Sequence, residues 1–207
     1  MRVLKALALA ASVFVASPAL AAGEAPAAPN AGFSFNSLLG TFDRGAQQRG
    51  FQVYKEVCSA CHSMRLLSYR NLLDIGLSEA EVRAIAASFT ITDGPNDEGA
   101  MFERPGRLSD RFKRPFPNDQ AARAGNNGAL PPDLSVITKA RHDGANYLRA
   151  LLIGYRDAPA GFTVPDGMHY NEYFPGHLIA MPNVLNDGQV EFADGTRATV
   201  DQMARDV

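Results

Sequence analysis

Apolar residues recur every three to four positions in three stretches of the chain, which is the spacing of one face of an α-helix. These stretches predict helices over residues 43–63, 78–89 and 144–155. The second helix opens with Ser78 and Glu81, which are spaced as a capping box. The third follows Asp143, a favoured N-cap residue.

Two shorter helices are predicted from local signals. One covers residues 134–140. The other opens near Val200, because Thr199 and Gln202 again have the spacing of a capping box. It has barely two turns before the sequence ends, and helices of that length are marginal by themselves. One interpretation is a short docked helix, and the other is that the natural chain continues.

Between the helices the pattern changes to turn-forming residues. Residues 92–130 are rich in proline and glycine and predict a long loop, which is uncommon in a compact domain unless it has a function such as wrapping a cofactor. Residues 158–182 are also irregular and contain many aromatic residues. Residues 189–196 alternate around Asp194 and Gly195 and predict a small β-hairpin. The fold class is therefore mostly α, with long structured loops and a small hairpin.

The start of the chain has the three parts of an export signal. Arg2 and Lys5 are basic, residues 7–15 are apolar, and an A-x-A cleavage site follows. The apolar run is too short to span a bilayer comfortably. The predicted division is a signal peptide over 1–21, a flexible Ala/Pro/Gly-rich segment over 22–32 and one domain over 33–207.

The charge balance bears on the class of partner. The chain has 20 Lys and Arg residues against 22 Asp and Glu residues. Removal of the signal takes away Arg2 and Lys5, so the formal charge changes from −2 to −4. This balance argues against a nucleic-acid partner and favours a basic protein partner. The sequence also contains no repeat, P-loop or dinucleotide-binding fingerprint.

Both cysteines of the chain lie in the run Cys58-Ser59-Ala60-Cys61-His62. A C-x-x-C-H run is the attachment site of a c-type haem, in which the two thiols add to the vinyl groups and the histidine binds the iron. A redox-active dithiol would need a βαβ context, which the surrounding pattern does not offer. A zinc site would need further ligands nearby. The motif therefore predicts one covalent haem c with His62 as the proximal ligand.

The second axial ligand decides between electron transfer and the chemistry of an open iron site. The candidates are Met64, Met101, Met168, Met181, Met203, His142, His169 and His177. Met64 is too close to His62 to reach the opposite face, and Met203 on the terminal helix is expected to pack. Met181 is favoured because Pro182 restricts the backbone next to its sulfur. The other loop residues stay open as alternatives.

Several ordered motifs resemble those of one family. They are the C-x-x-C-H run, Asp93-Gly94-Pro95-Asn96, Arg104-Pro105-Gly106, the stretch from Asn126 to Ser135, Leu151 to Tyr155, Tyr173-Phe174-Pro175-Gly176 and Asp194-Gly195-Thr196. In this order they are similar to the cytochrome c1 family, the haem subunits of cytochrome bc1 complexes. The resemblance runs from about residue 32 to the end of the chain, and the signal peptide is typical of a bacterial member.

The resemblance implies roles for particular residues. It implies that Met181 is the sixth ligand and that Arg141 pairs with a haem propionate. It also places Pro131 or Pro132 beside the proximal face, where a carbonyl would accept the Nδ1 proton of His62. The site residues expected from motif and resemblance together are Cys58, Cys61, His62, Met181, Arg141, Pro132, Asn126 and Tyr54.

The resemblance also implies a function and partners. The haem would accept one electron from a Rieske iron–sulfur protein and pass it to a soluble, c2-like cytochrome c, beside cytochrome b. The subunit itself would carry electrons and make no bonds. It would lie on the periplasmic side of the bacterial inner membrane, held by a C-terminal anchor that is expected in the family and absent from this sequence. The alternatives are a haem enzyme with an open distal site and a freely diffusing periplasmic carrier.

Overall fold

The computed structural model describes residues 25–207. The predicted signal peptide, residues 1–21, lies outside the described residues. The helices are α1 (Arg44–Glu56), α2 (Glu79–Ala87), α3 (Asp119–Gly125), α4 (Gly144–Ile153) and α5 (Val200–Asp206). The strands are β1 (Thr90–Asp93), β2 (Phe102–Pro105), β3 (His169–Tyr170) and β4 (Leu178–Ile179). Short 3₁₀ turns cover Ser34–Asn36, Cys58–Ala60 and Tyr69–Leu73. The predicted class, mostly helical with a small antiparallel sheet, is confirmed.

The predicted helix starts agree with the structure where a side chain caps the first turn. Ser78 and Glu81 form the expected capping box at the start of α2. Thr199 accepts a hydrogen bond from the Gln202 amide at the start of α5. Asp143 precedes α4, but its backbone is left-handed, with φ of 60°, and its side chain accepts from the Asn146 amide group instead of capping the backbone.

The long segment over residues 92–130 is more ordered than the sequence predicts. It contains the last two residues of β1, all of β2 and all of α3. The register pairs Thr90 with Pro105 and Asp93 with Phe102. The prediction of a loop was wrong here because the strands are short and mostly exposed, so they show no clear alternation of apolar residues.

Two other local predictions were also wrong. Residues 134–140 form successive turns instead of a helix. Residues 189–196 form no hairpin, although Val190 and Phe192 point inwards as the alternation predicts. Both side chains are buried in the core, but their backbone pairs with no neighbouring strand. The alternation of apolar residues here therefore indicates which side chains are buried and does not indicate a strand. The second antiparallel pair is instead β3–β4.

Helix α1 stands between two apolar clusters. Val53 belongs to a cluster with residues of the C-terminal region: Leu185, Val190, Phe192, Ala198, Met203 and Ala204. Tyr54 belongs to the other cluster, with Tyr69, Leu72, Val82, Ala86 and Phe112. Cys58 packs against both clusters. The cysteine turn, residues 58–61, therefore lies where the two apolar clusters meet, and both clusters support it.

The ends of the domain are fastened to each other. α5 lies so close to α1 that a Cβ at Gly50 would be 1.7 Å from the backbone oxygen of Asp206. Arg49 on α1 donates to Asp206 over 2.6 Å and to Asp194 over 2.7 Å. Met203 of α5 is fully buried, which confirms the expected packing role. The terminal helix is short, so these tertiary contacts hold it in place.

The N-terminal part of the described chain also contacts the helices. The Ala31 amide donates to the Asn146 side chain over 3.0 Å, and its carbonyl accepts from Arg205 over 2.7 Å. The last residues of the segment predicted to be flexible therefore lie against α4 and α5. Within residues 25–207, none of the helices has the length and apolar character needed to cross a membrane.

Candidate haem-attachment site

The two cysteines lie on one tight turn directly after α1. The turn Cys58–Ala60 is a 3₁₀ helix, and the Cys61 amide donates to the Cys58 carbonyl over 3.1 Å. Residues three apart eclipse one another in this geometry, so Cys58 and Cys61 lie on the same side of the turn. Both thiols are free. Two thiols side by side, the second of them exposed, form a suitable pair for one edge of a porphyrin.

The Cys58 thiol does not have the character of the attacking cysteine of a redox-active pair. Burial raises the pKa of the Cys58 thiol to about 11, so it is protonated at neutral pH. Thiol–disulfide enzymes lower the pKa of the attacking cysteine instead. The structure therefore gives no support to the alternative of a reactive dithiol.

His62 is held at three points. Its Nδ1 lies 2.8 Å from the Pro132 carbonyl oxygen, and its own carbonyl accepts a hydrogen bond from the Tyr54 hydroxyl over 3.2 Å. Its amide donates to the Cys58 carbonyl over 2.9 Å. Because a carbonyl can only accept, Nδ1 carries the proton and Nε2 keeps its lone pair. Burial lowers the pKa of His62, which also favours the neutral ring that a metal requires.

The residues after His62 are bound to the segment that contains Pro132. The Asp133 carboxylate accepts hydrogen bonds from the Ser63 hydroxyl at 2.7 Å and the Arg65 amide at 2.9 Å. The Leu134 amide donates to the Ser63 carbonyl over 2.8 Å. The two segments therefore run side by side past the ring of His62.

The loop that contains Met181 is anchored to the end of α4. The Tyr155 hydroxyl donates to the Met181 carbonyl over 2.9 Å. Asn171 is completely buried, donates to the Leu151 carbonyl, and accepts from the amides of Tyr173 and Phe174. These contacts fix the chain at Asn171 and again at Met181. Beyond Met181 the chain enters the apolar cluster that also supports Cys58, through Val184 and Leu185.

The other predicted site residues lie at the surface or make local contacts. Arg141 is exposed, and its guanidinium donates to the neighbouring Ala140 carbonyl. Asn126 follows α3 and donates to the Ala122 carbonyl over 2.7 Å. Neither is hydrogen-bonded to His62, Tyr54 or Pro132 in the described part of the chain.

The alternative ligands differ in their surroundings. Met101 is 61% exposed on the β1–β2 hairpin, and Met64 packs against the cluster of Tyr54. His177 has a positive φ of 61° and stacks on Tyr170 at 5.4 Å. Met181 has a fixed carbonyl, a half-buried side chain and a following proline, so its backbone is constrained next to the sulfur.

The donor set fits a haem better than a bare metal ion. Residues 25–207 contain no group of three or more His, Cys, Asp and Glu side chains that could hold a metal. A histidine with a free Nε2, a pair of thiols on one turn and an anchored methionine loop are the groups that a c-type haem uses. The residues present therefore fit this cofactor.

Three residues of the site were missed in the sequence: Ser63, Asp133 and Tyr155. Asp133 is part of the Pro-Pro-Asp-Leu-Ser stretch, but its partners lie 70 and 68 residues earlier in the chain. Tyr155 is 26 residues before Met181. No local spacing links such pairs, so only the folded chain shows them.

The sequence matches a known protein family over most of its length. The family model described as Cytochrome C1 family matches residues 33–207, which is most of the chain and the whole of the site. The chain belongs to the cytochrome c1 family. The family assignment therefore agrees with the resemblance noted in the sequence motifs.

Named relatives come from plants, fungi and bacteria. "Cytochrome c1-2, heme protein, mitochondrial" of Solanum tuberosum is 58% identical over 170 residues, which cover 82% of this chain and 65% of the relative. "Cytochrome c1, heme protein, mitochondrial" of Saccharomyces cerevisiae is 51% identical, covering 87% of this chain and 59% of the relative. "Cytochrome b/c1" of Bradyrhizobium diazoefficiens is 50% identical, and the match covers 86% of this chain and 29% of the relative. The chain thus spans less than two thirds of each of these relatives.

Proposed function

We propose that this protein carries one covalently attached haem c and transfers single electrons. The observation that carries the proposal is the arrangement of one turn: Cys58 and Cys61 share a side, and His62 follows with Nδ1 bound to Pro132 and Nε2 free. When bound, the haem supplies an iron that changes between the ferrous and ferric states. The chain supplies the attachment, the ligands and the surroundings that set its potential.

Each site residue has a proposed task. Cys58 and Cys61 form the thioether bonds, and His62 is the proximal ligand. Met181 is the sixth ligand, which favours the ferrous state and closes the iron to oxygen and peroxide chemistry. Tyr54 holds the backbone of His62. These tasks describe an electron carrier and not a haem enzyme with an open site.

Two further residues are assigned to the rim of the pocket. Arg141 is proposed to neutralise a haem propionate, because a partly desolvated carboxylate needs a cation or hydrogen bonds. Its side chain is exposed and free to reach such a group, since its only hydrogen bond within residues 25–207 is to a neighbouring carbonyl. Asn126, which directly follows α3, is proposed to line the haem pocket.

The proposed setting is a cytochrome bc1 complex, beside cytochrome b, and membership of the cytochrome c1 family supports it. The electron donor is a Rieske iron–sulfur protein and the acceptor is a soluble cytochrome c of the c2 type. Oxidation of quinol belongs to the other subunits. The natural protein is proposed to be exported and held on the periplasmic side of the inner membrane by a C-terminal anchor.

The decisive experiment is expression of the full chain in a host with and without the machinery for c-type haem maturation. With the machinery, haem should remain attached after denaturing electrophoresis, and the reduced protein should show a low-spin spectrum with both vinyl groups saturated. The double variant Cys58→Ala, Cys61→Ala is the control and should lose covalent haem. His62→Ala should keep the thioether bonds but lose low-spin iron. A wild-type chain without covalent haem in the competent host contradicts the proposal.

A further inference from the structure

The strongest unassigned group near the site is the carboxylate of Asp133. Its side chain is only 17% exposed, and it lies between the segment that follows His62 and the segment that contains Pro132. We propose that Asp133 is a positioning residue, which holds the Pro132 carbonyl in place against the Nδ1 proton of His62. This inference rests on the proposed function, because it concerns the ligand of the haem.

The contacts explain why the carbonyl needs outside support. Pro132 has no amide hydrogen, so its nitrogen cannot donate a hydrogen bond that would fix this stretch of backbone. The next residue provides this link, since the Asp133 carboxylate accepts from the Ser63 hydroxyl and the Arg65 amide. These donors lie one and three residues after His62. The Asp133 side chain therefore links the residue next to Pro132 to the segment that follows His62. This link runs beside the hydrogen bond between His62 and the Pro132 carbonyl.

The arrangement calls for a carboxylate and not an amide. One oxygen, Oδ2, accepts from both Ser63 and Arg65, and the other, Oδ1, accepts from the Ser135 amide over 3.0 Å. An asparagine would offer only one accepting oxygen and would point a donor at a donor on the other side. The ion pair with Arg65 is long, 4.0 Å, and Arg65 is 64% exposed, so the hydrogen bonds dominate.

The electrostatics agree with a carboxylate that stays ionised. Burial raises the pKa of the Asp133 carboxyl, but the hydrogen bonds from Arg65, Ser135 and Ser63 outweigh this effect and lower the pKa to about 2. The negative charge is therefore present at any physiological pH. Its hydrogen bonds persist with it, so the position of the Pro132 carbonyl does not depend on pH in this range.

The expected consequence is electronic as well as structural. A strong hydrogen bond from Nδ1 to a carbonyl increases electron donation through Nε2, which stabilises the ferric state. If the Pro132 carbonyl is released, this bond lengthens and the ring of His62 can rotate. The reduction potential should rise, and the orientation of the axial ligand should change.

The test compares Asp133→Asn with Asp110→Asn in the full chain carrying covalent haem. Asp110 is a matched control, because its side chain is 13% exposed and accepts from Arg104 and the Arg107 amide, neither of which belongs to the segments that hold His62. The readouts are the midpoint potential and the EPR g values of the ferric protein, which report the orientation of axial ligands. Ser63→Ala serves as a milder second variant, since it removes one donor and keeps the carboxylate.

We expect Asp133→Asn to raise the potential and shift the g values, with Ser63→Ala changing both in the same direction by less. Asp110→Asn should lower the melting temperature and leave both readouts at the wild-type values. Wild-type readouts in both site variants, or changes no larger than those of Asp110→Asn, overturn the inference. Failure of the wild-type chain to hold haem at all would instead contradict the proposed function.

Discussion

The hydroxyl of Tyr155 donates a hydrogen bond to the backbone carbonyl of Met181, across 2.9 Å and 26 residues of chain. Burial raises the pKa of Tyr155, so the hydroxyl keeps its proton. This contact fastens the methionine loop to the residues just after α4. A loop ligand binds iron persistently only when its backbone is held in place, so with the proposed ligation we expect this tyrosine to strengthen the binding of the Met181 sulfur.

Tyr155→Phe tests this relationship. Removal of one partly buried hydrogen bond should destabilise the bound loop by about 1 kcal/mol. External imidazole, which competes with Met181 for iron, should then bind about fivefold more tightly. Binding is measured by the change in the ferric absorption spectrum. Tyr147→Phe is the control, since Tyr147 also has a pKa raised by burial but donates no side-chain hydrogen bond within residues 25–207. Equal imidazole affinities in both variants would contradict the role of Tyr155.

Met181→Leu tests the identity of the sixth ligand. Haem should remain attached through Cys58 and Cys61, while the ferric absorption band that arises from sulfur bound to iron should vanish. The potential should fall by on the order of 0.1 V, a fraction of the roughly 0.8 V that axial ligands control. Met168→Leu is the control and should keep the band. If Met181→Leu retains the band and Met168→Leu loses it, the ligand is Met168.

The parts of the fold that could be predicted are those with local causes. The start of α2 follows from Ser78 and Glu81, which are three residues apart and satisfy each other's backbone. The β1–β2 hairpin could not be predicted, because the ion pairs that support it join Arg104 to Asp93 on the other strand and to Asp110 beyond the end of β2. Such pairing depends on register, and the sequence of these short exposed strands does not specify it.

The same division holds in the site. The pair Cys58 and Cys61 was evident, because the whole pattern, including His62, lies within five consecutive residues. The hydrogen bond from His62 to the Pro132 carbonyl spans 70 residues, and only the family resemblance suggested it. Asp133 was not predicted at all, since a carboxylate beside two prolines is indistinguishable in sequence from a turn residue.

Arg141→Gln tests the proposed partner of a haem propionate. Loss of a positive charge near the iron favours the ferric state, so the potential should fall by on the order of tens of millivolts. The measurement is a redox titration at low ionic strength. Lys139→Gln is a matched control, because Lys139 is an exposed cation two residues away. A potential that changes equally in both variants would show that Arg141 acts only as general surface charge.

The Arg104 cluster predicts how stability depends on pH. Hydrogen bonds from Arg104 lower the pKa values of both Asp93 and Asp110. A lowered pKa in the folded state adds stability that is fully present above about pH 4 and is lost as the pH falls through the lowered values. Asp110→Asn should therefore cost about 1 to 2 kcal/mol at pH 7 and flatten the loss of stability in acid. Melting temperatures of the variant and the wild type, measured from neutral to acid pH, check this expectation.

The control for this experiment is Asp119→Asn. Asp119 is 66% exposed and lies 3.8 Å from Arg114, so its ion pair is solvated and contributes little. The melting temperature of the Asp119→Asn variant should follow that of the wild type at every pH. If Asp110→Asn also follows the wild type into acid, the Arg104 cluster does not contribute to the acid sensitivity of the fold.

Acidic residues around the turn of the β1–β2 hairpin are proposed to steer a basic cytochrome towards the haem. Asp93 is paired with Arg104, which leaves Asp97, Glu98 and Glu103 as the exposed acidic side chains of this hairpin. Long-range attraction raises association rates and weakens with salt. The triple amide variant should therefore slow electron transfer to a basic soluble cytochrome at low ionic strength and flatten its salt dependence. Reduction by a Rieske protein should change far less. A wild-type rate and salt slope in this variant would place the docking surface elsewhere.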